Sequence, residues 1–124
     1  MKIKAGRPAV IGKRAEDIAC KYLSQNGINL LERNYSCRFG EIDIIGLDVE
    51  ILVFIEVRYR SDQERIAAIE TIDHRKCKRL LTTSQHYLNH HKKYQSYQYR
   101  YDVIVITGML DEPLVEWIKN AFQA

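Results

Sequence analysis

Two acids break the apolar pattern of this chain. Gly40-Glu41-Ile42-Asp43-Ile44-Ile45 and Phe54-Ile55-Glu56-Val57-Arg58-Tyr59-Arg60 alternate as strands do, yet each carries a carboxylate within its apolar run. Burying a carboxylate costs several kcal/mol, on the order of a protein's whole margin of stability, unless it is paired, hydrogen bonded or bound to a metal. The intervals 41–47 and 51–59 read as adjacent antiparallel strands. Twelve residues separate Asp43 from Glu56, so an even-length turn centred on Val49 and Glu50 sets the two acids directly opposite. Opposed Cβ atoms lie about 4.5–5.5 Å apart. Two carboxylates that close must share a proton or a divalent cation, and hard oxygen ligands favour magnesium or manganese.

Side chains two apart share a strand face, so Arg58 and Arg60 project with Glu56. A metal-holding carboxylate beside cations that can meet a phosphate oxygen is the arrangement that phosphodiester hydrolysis requires. The structural alternative is a half-exposed sheet in which Glu56 and Arg58 pair with cross-strand neighbours.

The elements that must position these groups follow from periodicity. Ala15, Ile18, Ala19, Tyr22 and Leu23 repeat at helical spacing, and Gly27 is a stop signal, so a helix is expected from about Gly12 to Asn26. Glu16 falls at the border of its buried face. From there it could reach the sheet, or act as an ordinary first-turn acid near Arg14. A short strand is expected over Ile28–Arg33, a turn over Asn34–Arg38, then the hairpin. Ser61–Arg65 reads as a loop before a helix whose strongest part begins at the candidate cap Asp73, with Cys77, Leu80, Leu81, Ser84 and Leu88 facing inward. Strands are expected at Tyr99–Thr107 and Leu114–Ile118, giving the order αβββαββ and a mixed sheet with a helix on each face.

At 124 residues, 46% hydrophobic and 28% charged, the chain has the size of one domain, residues 1–124, with a basic N-terminal segment over about 1–10. No apolar run is long enough to span a bilayer or to form a secretory core, so the expected compartment is the cytoplasm. Cys20, Cys37 and Cys77 show no paired spacing, and His86 and His90 lack further zinc ligands in register. Net charge is only +3, but its distribution is uneven. Lys2, Lys4, Arg7, Lys13 and Arg14 crowd one end, and Arg75, Lys76, Lys78 and Arg79 open the long helix; both groups suit a phosphate backbone. The run from His91 to Tyr101 interleaves cations with tyrosines, as a base-stacking surface would. No glycine-rich phosphate loop or hydrolase triad is recognisable.

Gly12 with Ala15-Glu16 and Ala19, Tyr22-Leu23, Gly27, Arg33-Asn34, Gly40-Glu41-Ile42-Asp43, Val53-Phe54-Ile55-Glu56-Val57-Arg58, Lys76, Tyr87-Leu88, Arg100 to Val103 and Asn120-Ala121-Phe122 together resemble the YraN-like family of small bacterial proteins. That family is placed by fold among the PD-(D/E)XK nucleases and compared with archaeal Holliday-junction resolvases. The resemblance covers nearly the whole chain. It implies a restriction-endonuclease-like α/β fold and a metal-dependent nuclease acting on branched or single-stranded DNA. Asp43 and Glu56 would then bind Mg2+ or Mn2+ with the Val57 carbonyl, and Glu16 would be the helix-borne acid; from charge clustering and strand parity, Arg14, Arg60, Arg75, Lys76 and Arg79 are the cations expected to hold nucleic acid. Arg58 stands where the motif has lysine. An arginine stays protonated in essentially any protein environment, so Arg58 can orient water or neutralise phosphate but cannot serve as a base. The resolvase comparison also implies a homodimer. The same substitution supports a second reading, a nucleic-acid-binding or scaffold protein that has kept the fold and lost turnover.

Overall fold

A computed structural model describes residues 8–61 and 65–123. The basic residues Lys2, Lys4 and Arg7, and much of the Ser61–Arg65 loop, lie outside the described residues. The helix α1 (Pro8–Gln25) is followed by three strands, β1 (Ile28–Cys37), β2 (Gly40–Asp48) and β3 (Ile51–Arg60). Two helices, α2 (Arg65–Glu70) and α3 (His74–Asn89), and a 3-10 turn (Lys92–Tyr94) then lead to β4 (Gln98–Thr107) and β5 (Leu114–Phe122). The sheet runs β1-β2-β3-β4-β5 in chain order, and every neighbouring pair is antiparallel except β3 and β4, which are parallel. A parallel pair needs a long crossover, and the helices α2 and α3 supply it.

Alternation along the strands divides the core into two layers. Ile44, Val53, Ile55, Ile104 and Ile106 face α1 through Ala15, Ala19 and Leu23. Ile42, Ile45, Leu52, Phe54 and Tyr101 face α3 through Leu80, Tyr87 and Leu88. On that second face Ala68 of α2 covers Val103 and Val105. Each fully buried Leu or Ile contributes about 1.5–3 kcal/mol, so the two stripes are what pin the helices to the sheet.

The mixed five-stranded sheet flanked by helices is the one expected, with differences at its joints. The first helix starts earlier than Gly12, at Pro8, because a fixed φ and a missing N–H cost nothing in a first helical turn. Asp73 caps α3 as expected, accepting from Lys76 N at 2.9 Å. Ahead of it Arg65–Glu70 forms the separate short helix α2. The expected turn over Asn34–Arg38 is mostly strand, since β1 continues to Cys37. The turn signal at Asn34 is nonetheless physical: this residue sits at φ 54 inside the strand. Likewise β5 runs beyond Ile118 to Phe122, past a second left-handed residue, Asn120 at φ 54.

Asn34 bears directly on the acids. Arg33 pairs with Ile44 and Tyr35 with Ile42. Residues two apart should share a face, yet Ile44 lies in the α1 layer and Ile42 in the α3 layer. The pleat is therefore broken between them, at the level of Asn34 and Asp43. Such irregularities re-aim a side chain.

A carboxylate site in the fork between β2 and β3

The hairpin turns at Val49-Glu50, and its register pairs Asp48 with Ile51 and Ile44 with Ile55. One step further the same register sets Asp43 opposite Glu56, as the spacing predicts. The β2–β3 ladder ends there, while β3 continues pairing with β4 to Arg60 and Thr107. Where the strands part, the Val57 N–H donates to Asp43 Oδ2 at 2.8 Å. The carboxylate thus takes the place of a missing strand neighbour and is fixed in the plane of the sheet, in the fork.

Glu56 is 3% exposed. Its Oε2 lies 3.0 Å from Arg58 Nη2 and 3.4 Å from Lys76 Nζ, so two cations converge on one oxygen. Its Oε1 is buried without a hydrogen-bond partner, as is Arg58 Nε. Leaving a buried charged oxygen unmatched costs more than the average net worth of a hydrogen bond. Beside it, burial first and then the negative charge of Glu56 push the Asp43 carboxyl up to about 7, against the pull of the Val57 N–H; Glu16 adds to the rise and Lys76 opposes it. Near neutrality Asp43 is therefore shared between its protonated and ionised forms, the outcome that two crowded carboxylates require in place of a cation.

An unsatisfied carboxylate oxygen adjoining a second, half-protonated carboxyl fits a hard divalent cation. Asp43 and Glu56 supply two oxygen donors, and the remaining positions would fall to the Val57 carbonyl and water. Among the described residues no three His, Cys, Asp or Glu side chains converge into a preformed cluster. Glu16 is near enough for Asp43 to feel its charge, but its Oε1 is turned to Arg33 Nη2 at 3.4 Å, and the same guanidinium holds Asp17 Oδ1 at 2.9 Å.

The cations expected to hold nucleic acid are spread over two regions. Lys76 reaches into the site, and Arg75 and Arg79 are exposed beside it on the first turns of α3. Arg14 is instead occupied by Asp111 at 3.1 Å, and Arg60 lies at the end of β3, where its carbonyl accepts from Gly108 N at 3.0 Å. A surface concavity of about 800 Å3 lies away from Asp43 and Glu56, around the Val49-Glu50 turn and Ser96–Gln98.

A further buried acid escaped notice in the sequence. Asp102, fully buried in β4, accepts from Arg100 Nε at 3.0 Å, Trp117 Nε1 at 2.8 Å and Asn120 N at 2.8 Å. Arg100 also reaches Asp48 at 2.9 Å. The signal that singled out Asp43, an acid inside an apolar strand, is equally present in Tyr101-Asp102-Val103-Ile104. The difference is chemical: every bond that Asp102 needs is made within the fold, whereas Glu56 keeps an open oxygen.

Residues 15–106 match the model of a family described as "Uncharacterised protein family UPF0102". Among curated proteins, a UPF0102 protein of Methylococcus capsulatus is 40% identical over 124 residues, covering 100% of this chain and 99% of that protein. One from Stutzerimonas stutzeri is 41% identical over 113 residues, 91% of this chain and 94% of its own length. One from Francisella tularensis is 43% identical, covering 90% and 93% respectively.

Proposed function

The chain belongs to the UPF0102 family, the YraN-like group its motifs resemble, and since that family's description names no activity, we propose one from the site itself: a metal-dependent nuclease of restriction-endonuclease-like fold that hydrolyses phosphodiester bonds in DNA. The observation that carries this reading is the open, buried oxygen of Glu56 beside an Asp43 carboxyl pushed up to about 7.

Asp43, Glu56 and the Val57 carbonyl would hold Mg2+ or Mn2+, which when bound supplies Lewis acidity toward the phosphate and an activated water. The protein's own share is positional and electrostatic. The Val57 N–H fixes the Asp43 carboxylate in the fork, so its free oxygen needs no reorganisation to receive a ligand. Arg58, permanently charged, offers donors to a nonbridging phosphate oxygen and offsets charge gained at phosphorus. Lys76, from the opposite wall, places a second cation beside Glu56, so phosphate arrives where two positive groups already stand. Asp43 would give up its proton to a cation held there, so binding would release protons at and below about pH 7.

The direct test is incubation of purified protein with plasmid, single-stranded and four-way-junction DNA, in Mg2+, Mn2+ or EDTA, beside Asp43→Ala and Glu56→Ala. Cleavage should need the metal and drop by about 100-fold or more in either variant, as when a transition-state contact is removed. Cutting that survives both substitutions would reject the assignment. A second reading, a DNA-binding protein without turnover, draws on Arg58 in the lysine position and on both cations sitting on Glu56 Oε2. It expects DNA binding in EDTA and no metal-dependent cutting of any substrate.

A further inference from the structure

The tip of the β1–β2 hairpin, Arg38-Phe39, is separated from the first turns of α3 by a cleft of about 450 Å3, lined by Arg38, Phe39, Gly40, Glu41, Lys76 and Arg79 among others. Lys76 on its wall is the same side chain that reaches Glu56 at 3.4 Å, so one cation links the cleft to the carboxylate site. Phe39 is 38% exposed, and the Arg38 guanidinium lies 4.9 Å over its ring. Gly40 makes this closeness possible: at φ 148 its missing Cβ would come within 3.1 Å of Thr83 Oγ1 on α3. The one acid on the wall, Glu41, faces Ser36 Oγ at 3.4 Å.

We propose that this cleft receives an unpaired strand of nucleic acid, with its phosphates on Lys76 and Arg79 and a base stacked on the Arg38-Phe39 tip, so that the strand is led toward Glu56. The inference deepens the nuclease reading and rests on it for the direction of the strand. Three cations around one exposed ring match the chemistry of a single strand, which presents phosphate and base face together. A duplex hides its base faces in its own stack and would offer the ring no base to add to Arg38 and His86, which already lie against it. Arginine planes and aromatic rings are both stacking surfaces for splayed bases.

Binding can be read without turnover. The full chain is titrated in EDTA with a fluorescent oligothymidylate and with a duplex of the same length, at about 50 and 200 mM salt. The single strand should bind more tightly. Phe39→Ala should weaken it by about 5- to 100-fold, the range for loss of one stacked base, while changing duplex affinity less than about twofold. Phe39→Trp should restore binding, and Lys76→Met with Arg79→Gln should lower the salt slope by about 1.4, two phosphate contacts' worth. Equal affinity of Phe39→Ala and parent for the single strand, or a preference for duplex, overturns the proposal. Thermal melts of the same samples separate lost contact from lost fold. The two readings fail separately: absence of metal-dependent cleavage alongside intact, Phe39-dependent binding rejects the nuclease and leaves the cleft, whereas cleavage with no role for Phe39 does the reverse.

Discussion

Asp43 sits where burial and a second carboxylate cost the chain stability. Its carboxyl is raised from 3.8 to about 7, so between about pH 4 and pH 7 the folded state keeps a proton that the unfolded chain releases. Stability therefore falls as pH rises through that window and levels off above it, a loss on the order of a few kcal/mol. Replacing the acid by a neutral isostere removes the repulsion with Glu56. Asp43→Asn should flatten the pH dependence and melt higher than the parent at about pH 8, while abolishing cleavage. Urea unfolding of both proteins across the window checks this, and a variant that keeps the parent's slope would exclude Asp43 as the titrating group. A divalent ion should have the opposite profile, stabilising the parent more at about pH 8 than at pH 5, where protons compete for the same oxygens.

At the scale of elements, the two buried acids make a contrast that mutation can expose. Asp102→Ala would leave Arg100, whose side chain is 14% exposed, with Asp48 alone, and untie β5 at Asn120. It should cost about 3–5 kcal/mol, as breaking a buried pair does, with no direct effect on the site in the fork. At the β2–β3 turn, Val49 holds φ 58 although it is β-branched and 85% exposed. Val49→Gly should therefore stabilise the hairpin by about 1 kcal/mol, seen as a higher denaturation midpoint. The hairpin register, the caps and the two helical stripes were legible because apolar period and parity encode them. The length of β1 was not, because Asn34 carries a turn conformation that cross-strand pairing with β2 overrides. Nor was the partner of Glu16: Arg33 comes to the α1 face through the register shift between Leu30 and Glu32, which no local pattern announces. Lys76 was expected to touch nucleic acid, and its second contact, Glu56, depends on how α3 lies across the sheet, which no local pattern states.

Over the whole molecule, the parallel joint between β3 and β4 separates what is near in sequence from what is distant. No described helix is long and apolar enough to cross a membrane, and both α1 and α3 spend their apolar faces on the one sheet. Asp43 and Glu56 belong to a single local hairpin, while Lys76 comes from the excursion that closes only when β4 docks beside β3. Short-range contacts form before long-range ones. During folding, then, the two negative charges should meet before one of the positive charges that offsets them arrives. Refolding should accordingly quicken as the medium is acidified from about pH 8 to pH 5, and stopped-flow traces of Asp43→Asn should lose that acceleration if the hairpin is formed at the barrier. The crowding of two acids in the fork would thus also set the pace at which the protein is made.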